Sequence, residues 1–237
     1  MRIEIQELFL RGRWAIRFYG FQALCIVLVL LALFRRCDAQ GPAERPRLTR
    51  QTEIIYEGLV SYGNYRVFGG AENDKLYVAG VELDRELWPN LFHARLDAAF
   101  ELLPVVLLTQ PHRTDIWGDT LSRRRNLVPG AGITPIGLRL LWRDGKEIMP
   151  YFEAKGTVLG FTQKALSPQA TYENWSFQLT QGVKLRLKGR FDLRVGVLND
   201  LHFSNAFVVR SNPALDVMNV NVGLVYHLHS GRKGFGR

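Results

Sequence analysis

In LFHARLDAAFEL, residues 91–102, the apolar set is Phe92, Ala94, Leu96, Ala98, Phe100 and Leu102, while His93, Arg95, Asp97 and Glu101 hold the other parity. A period of two is the mark of a strand with one greasy face and one polar face. NWSFQLTQGVKLRL, residues 174–187, repeats it: Trp175, Phe177, Leu179, Val183, Leu185 and Leu187 oppose Ser176, Gln178, Thr180, Lys184 and Arg186. Segments of this kind fall at 57–66, 76–87, 91–108, 131–142, 147–163, 172–187, 190–204 and 215–228. Turn dipeptides such as Asp144-Gly145 and Lys188-Gly189 separate them. No helical period persists for more than two turns, so the pattern predicts an all-β chain, an eight-stranded antiparallel up-and-down barrel.

Such a barrel is either a soluble ligand carrier or a membrane protein, and the two differ in which face carries the charge. Here the polar parity mixes both signs: Arg95, Asp97, Glu101, Arg139, Glu153, Lys155, Lys184, Arg186, Asp192 and Arg194. Interleaved charges fit a narrow lumen filled with ion pairs, and they fit a solvated outer surface equally well. Strand length favours the membrane, because a tilted strand needs roughly 9–11 residues to cross.

The N-terminus adds an export signal. Arg11, Arg13 and Arg17 precede an apolar run at 23–34, about half the roughly 20 residues that a spanning helix requires. Cys37-Asp38-Ala39 then offers small residues for cleavage after Ala39, so residues 1–39 are expected to be a signal peptide, with an uncleaved anchor as the alternative. Cleavage removes both cysteines, Cys25 and Cys37, and with them any disulfide or thiol metal site. The 237-residue chain carries a net charge of +9, and the mature part keeps 25 basic and 19 acidic residues, or +6. That sign favours anionic neighbours. Residues 40–55, opening with the proline-containing and charged QGPAERPRLTRQTE, read as a linker, 56–228 as the barrel and 229–237 as a basic tail.

One strand end carries chemistry. LHFSNAFVVRSNPALD, residues 201–216, sets His202 two places before Ser204, with Asn205 beside it and Asp216 beyond an Asn212-Pro213 turn. A serine hydroxyl becomes a nucleophile when a neighbouring imidazole takes its proton, and a carboxylate on the far ring nitrogen fixes the tautomer. Residues i and i+2 of a strand share a face, and a hairpin partner lies within reach across the ladder. Parity raises a conflict, however. His202 and Ser204 lie on the polar parity of their strand, whereas Asp216 shares parity with the apolar Met218, Val220, Val222, Leu224 and Tyr226. One extra residue reverses the facing of everything beyond it, so a bulge is predicted near Asn199-Asp200, turning His202 and Ser204 outward.

These residues resemble the signature of the lipid A 3-O-deacylase family of outer-membrane β-barrels, and a looser similarity extends over 57–228, including the Pro-Tyr of MPYFEAKGTVLGF. The resemblance implies an eight-stranded barrel in the outer membrane of a Gram-negative bacterium. It implies a serine esterase that removes an ester-linked acyl chain from lipid A, with Ser204 as nucleophile, His202 as base, Asp216 as orienting acid and no cofactor. Asn205 or nearby backbone N–H groups would hold the oxyanion. The chain departs from the family at Asp216, where Glu is usual, and at Phe207, where Gly is usual. The alternative is therefore an inactive structural or lipid-binding barrel of the same fold.

The run SRRRN offers Arg123, Arg124 and Arg125 as partners for lipid A phosphates, since arginine pairs bidentately with phosphate; a plain solvated loop is the competing reading. His93, His112, His227 and His229 show no metal-ligand spacing and read as rim or lumen residues. Trp88, Trp117, Trp142 and Trp175 are expected in interfacial girdles. With no nucleotide loop, zinc motif or RNA-binding signature, the positive charge is assigned to lipopolysaccharide and not to nucleic acid. Homodimerisation is left open.

Overall fold

The computed structural model describes residues 51–65, 71, 73–204 and 214–228, with backbone alone at 65 and 197–204. The chain divides into two units, Met1–Leu48 and Thr49–Arg237. The expected signal peptide lies outside the described residues, as do residues 40–50 of the expected linker and the basic tail.

Eight antiparallel strands close into a barrel in chain order, β1 pairing with β8. They are β1 (Thr52–Tyr65), β2 (Lys75–Leu91), β3 (Ala94–Pro111), β4 (Arg125–Trp142), β5 (Ile148–Phe161), β6 (Glu173–Arg186), β7 (Phe191–Ser204) and β8 (Ala214–His227). Strand β1 begins at Thr52, inside the stretch read as linker, because Glu53 and Ile55 already point inward and are buried. Short turns join the strands at one end of the barrel, and the segments 66–74, 112–124, 162–172 and 205–213 join them at the other. The Asp144-Gly145 and Lys188-Gly189 turns form as read, with both glycines in the left-handed region. The β2–β3 turn differs from expectation: Phe92 and His93, read as strand, both adopt positive φ (52° and 62°), as a two-residue hairpin turn demands.

The charged parity faces inward. Arg95, Asp97, Glu101, Arg139, Glu153, Lys155, Lys184, Asp192 and Arg194 are all buried, while Tyr56, Val60, Tyr62, Leu83, Leu102, Ile136 and Val222 are exposed on the outside. An apolar exterior around a polar interior is the arrangement of a barrel that crosses a bilayer, which rules out the soluble carrier.

Along its axis the lumen changes character. Toward the short turns lies an ion network, in which Arg139 meets Glu53 at 3.0 Å and Asp97 at 2.8 Å, Lys184 meets Glu53 at 2.9 Å, and Lys155 meets Glu57 at 3.0 Å. Next comes a neutral layer, with Thr134 and Thr157 hydroxyls 2.8 Å apart and Ser61 donating to Asn219 at 2.6 Å. At the long-segment end the interior is apolar, packed from Leu59, Leu76, Leu103, Leu108, Leu159, Leu166 and Val217.

Prolines sit where the ladder slips. Pro104 and Pro135 each supply an extra residue at a register shift in β3 and β4, the position in which a missing N–H costs least. Opposite the first, Gly80 is required because a Cβ there would meet the Leu102 carbonyl at 2.8 Å.

Candidate active site on the outer wall

The predicted bulge is present in β7. Gly196 pairs with Asn221 and Asn199 with Asn219, so three steps on β7 match two on β8; the β6 ladder slips at the same place, Leu179 pairing with Asp200 and Gln181 with Val197. Beyond the slip the register sets His202 directly opposite Asp216, and Ser204 opposite Ala214. On the other flank His202 pairs with Phe177 and Ser204 with Trp175. Directly opposed residues share a face of the sheet, and the exposed Phe177 and Trp175 mark that face as the outer one. Positions 202, 204 and 216 therefore share the outer side of the sheet, and the parity conflict is removed.

Asp216 itself is fully buried, although Val220, Val222 and Leu224 on the same parity of β8 are 38–48% exposed. The segment ahead of β2 reaches this corner, with Ala71 N–H donating to the Ala214 carbonyl at 3.1 Å. Asn205 and Phe207 lie outside the described residues.

Arg123 and Arg124 close the segment 112–124, Arg125 opens β4, and all three are exposed at the same end of the barrel as Ser204. That segment is ordered by its own bonds: Asp115 Oδ1 accepts from the Trp117 and Asp119 amides at 2.8 Å each, and Thr114 pairs with Thr120. Arg125 also acts on Asp74, a buried carboxyl just before β2. Burial pushes Asp74 up to about 8, and the Arg125 guanidinium draws it only partway back. Because the unfolded carboxyl ionises near 3.8, the folded state holds its proton longer, so this group lowers stability progressively as pH rises from about 4 to 8. Asp74→Asn is expected to leave the urea midpoint in detergent unchanged at pH 4 and to stabilise by about 2–3 kcal/mol at pH 8.5, local hydration relieving part of the full penalty.

Among the described residues two carboxylate groups have metal-like spacing, Glu57 with Glu82 and Glu101, and Glu82 with Asp84 and Glu153. Lys155, Arg194 and Arg139 already lie against these carboxylates and occupy the positions a cation would take. The histidines take no metal-like grouping among the described residues: His93 is in a turn, His112 Nδ1 lies 3.0 Å from Asn126 Oδ1, and His227 Nε2 lies 2.7 Å from Asp192 Oδ2. Of the tryptophans read as girdle residues, Trp88 near the short turns and Trp175 near the long segments are exposed on the outer wall, Trp142 at the end of β4 is half-buried, and Trp117 sits in the segment 112–124. What the sequence reading missed is that Trp175 and Phe177 neighbour the motif across the ladder, a relation that pairing the two alternating segments through the bulge would have given.

No protein-family model and no curated protein sequence matches the chain. Solved structures are similar to it, the first of them in fold. The crystal structure of the outer membrane enzyme PagL is similar at 14% identity and a TM-score of 0.50, covering 74% of this chain and 98% of that one. The outer membrane protein OprG from Pseudomonas aeruginosa (12% identity, TM-score 0.41) covers 76% of this chain and 97% of its own. Neisserial surface protein A (10%, 0.38) covers 75% and 94%. The chain thus has the eight-stranded outer-membrane barrel fold.

Proposed function

We propose that the protein is an esterase of the Gram-negative outer membrane that removes an ester-linked acyl chain from lipid A by 3-O-deacylation. The observation that supports this reading is the register past the β7 bulge, in which position 202 pairs with 216 and position 204 lies two residues on along the same side of the sheet. In this reading the Ser204 hydroxyl attacks the acyl carbonyl while His202 takes its proton. The ester C–O bond breaks, the proton passes to the leaving sugar oxygen, and water then releases the fatty acid from the serine. Asp216 steadies the imidazolium, Asn205 holds the developing oxyanion, and Arg123, Arg124 and Arg125 meet lipid phosphate above the membrane.

The shorter Asp216 suits this geometry. Directly opposed residues have Cβ atoms roughly 4.5–5.5 Å apart, close enough for a carboxylate on one carbon to meet an imidazole. Asp216→Glu is therefore expected to change the rate by less than about 3-fold, and Asp216→Asn to lower it by about 10²-fold or more through loss of the tautomer control. A large gain with Glu would mean that the acid does not stand opposite the imidazole.

The function is tested by mass spectrometry of lipid A from cells expressing the wild type or Ser204→Ala. Loss of one acyl chain with the wild type alone supports hydrolysis. Identical spectra would leave a structural or lipid-binding barrel.

A further inference from the structure

The two flanks of the candidate nucleophile differ. On β8, Ala214 opposite Ser204 is 5% exposed and Asp216 opposite His202 is fully buried. On β6, Trp175 opposite Ser204 is 56% exposed and Phe177 opposite His202 is 52% exposed. Next to them on β5, Gly156 pairs with Phe177, and neither it nor Gly160 has an atom within 4 Å of where a Cβ would stand. A lipid in the bilayer therefore meets an open wall on the β6 side of Ser204 and a closed one on the β8 side.

We propose that the acyl chain of the scissile ester lies on β6, against Trp175 and Phe177, and that Trp175 sets the chain-length preference. The inference rests on the esterase reading for its reaction. Trp175 is the cross-strand neighbour of the nucleophile, so the methylenes that follow the ester carbonyl run over its indole and gain packing contacts with it, one after another along the chain. The chain makes this contact before and during the reaction alike. It therefore lowers KM and leaves kcat largely unchanged.

Steady-state hydrolysis in detergent of esters bearing saturated chains of graded length tests the idea. Trp175→Ala is expected to raise KM for the long chain by about 10-fold, to leave kcat within about 2-fold, and to flatten the dependence on length. Trp175→Phe should restore most of the preference, and Trp88→Ala, near the short turns, should change nothing. An unaltered KM and length dependence in Trp175→Ala would overturn the proposal. A second readout does not need turnover. In Ser204→Ala, a long-chain ester brominated on its acyl chain should quench tryptophan fluorescence saturably, and adding Trp175→Phe should remove most of that quenching. Quenching that survives Trp175→Phe refutes the placement. Saturable quenching at Trp175 by a protein that hydrolyses nothing would sink the esterase reading and keep the acyl site.

Discussion

His202→Ala is expected to lower hydrolysis of the acyl ester by about 10³-fold or more, and the double variant Ser204→Ala/His202→Ala to lower it no further than Ser204→Ala alone. The reason is that the two act as one unit: without a base the hydroxyl keeps its proton, and without the hydroxyl the base has nothing to activate. Additive losses would mean that the two residues serve separate steps. The fold should be indifferent to these changes, since positions 202 and 204 lie at the end of β7 and share the outer side of the sheet with Phe177 and Trp175. Heat-modifiable migration in gels, which reports a closed barrel, should be the same in all variants. A His202→Ala protein that is folded and retains a tenth of the wild-type rate would remove the imidazole from the mechanism.

Much of this was legible in the residues because a strand writes its two faces into alternate positions. The alternation of 91–102 and 174–187 locates β3 and β6, and the clash of parity between His202 and Asp216 locates the β7 bulge. What alternation could not decide was which parity faced in, since salt bridges in a lumen and charges in water produce the same string. It also failed where backbone conformation overrides side-chain type. Phe92 and His93 carry no glycine or asparagine to announce a left-handed turn, yet both adopt one. Strand β4 was expected from 131 and starts at Arg125, because Pro129 and Gly130 interrupt the pattern; the glycine is needed there, as a Cβ would stand 2.5 Å from the Gly160 carbonyl. The covered β8 flank of the site was invisible for a different reason. Parity says which side of a wall a residue faces, not whether another part of the chain lies over it.

Arg194→Met is expected to destabilise the barrel by about 3–5 kcal/mol, whereas Glu82→Gln, its partner in the same cluster, should cost only about 1 kcal/mol. The asymmetry follows from the census of the lumen. Among the described residues nine buried acids line it (Glu53, Glu57, Glu82, Asp84, Glu86, Asp97, Glu101, Glu153, Asp192) against five bases (Arg95, Arg139, Lys155, Lys184, Arg194). Each cation is therefore shared. Arg194 forms ion pairs with Glu57 and Glu82, lies 3.4 Å from Glu153 and 3.9 Å from Asp84, and stacks 5.7 Å from the Tyr151 ring centre. Methionine fills much the same volume but leaves these carboxylates facing one another in a medium that screens poorly. Removing the charge of Glu82 leaves Arg194 with Glu57 and Glu153, and Lys155 with Glu57 and Glu101, so neither cation is stranded. Urea midpoints in detergent would measure both changes, and the double variant Arg194→Met/Glu82→Gln should recover part of the loss, since one of the uncompensated charges goes with it. Equal costs for the two single changes would show that the cations are not the scarce partner, and that protons on the carboxyls, not shared bases, balance the lumen.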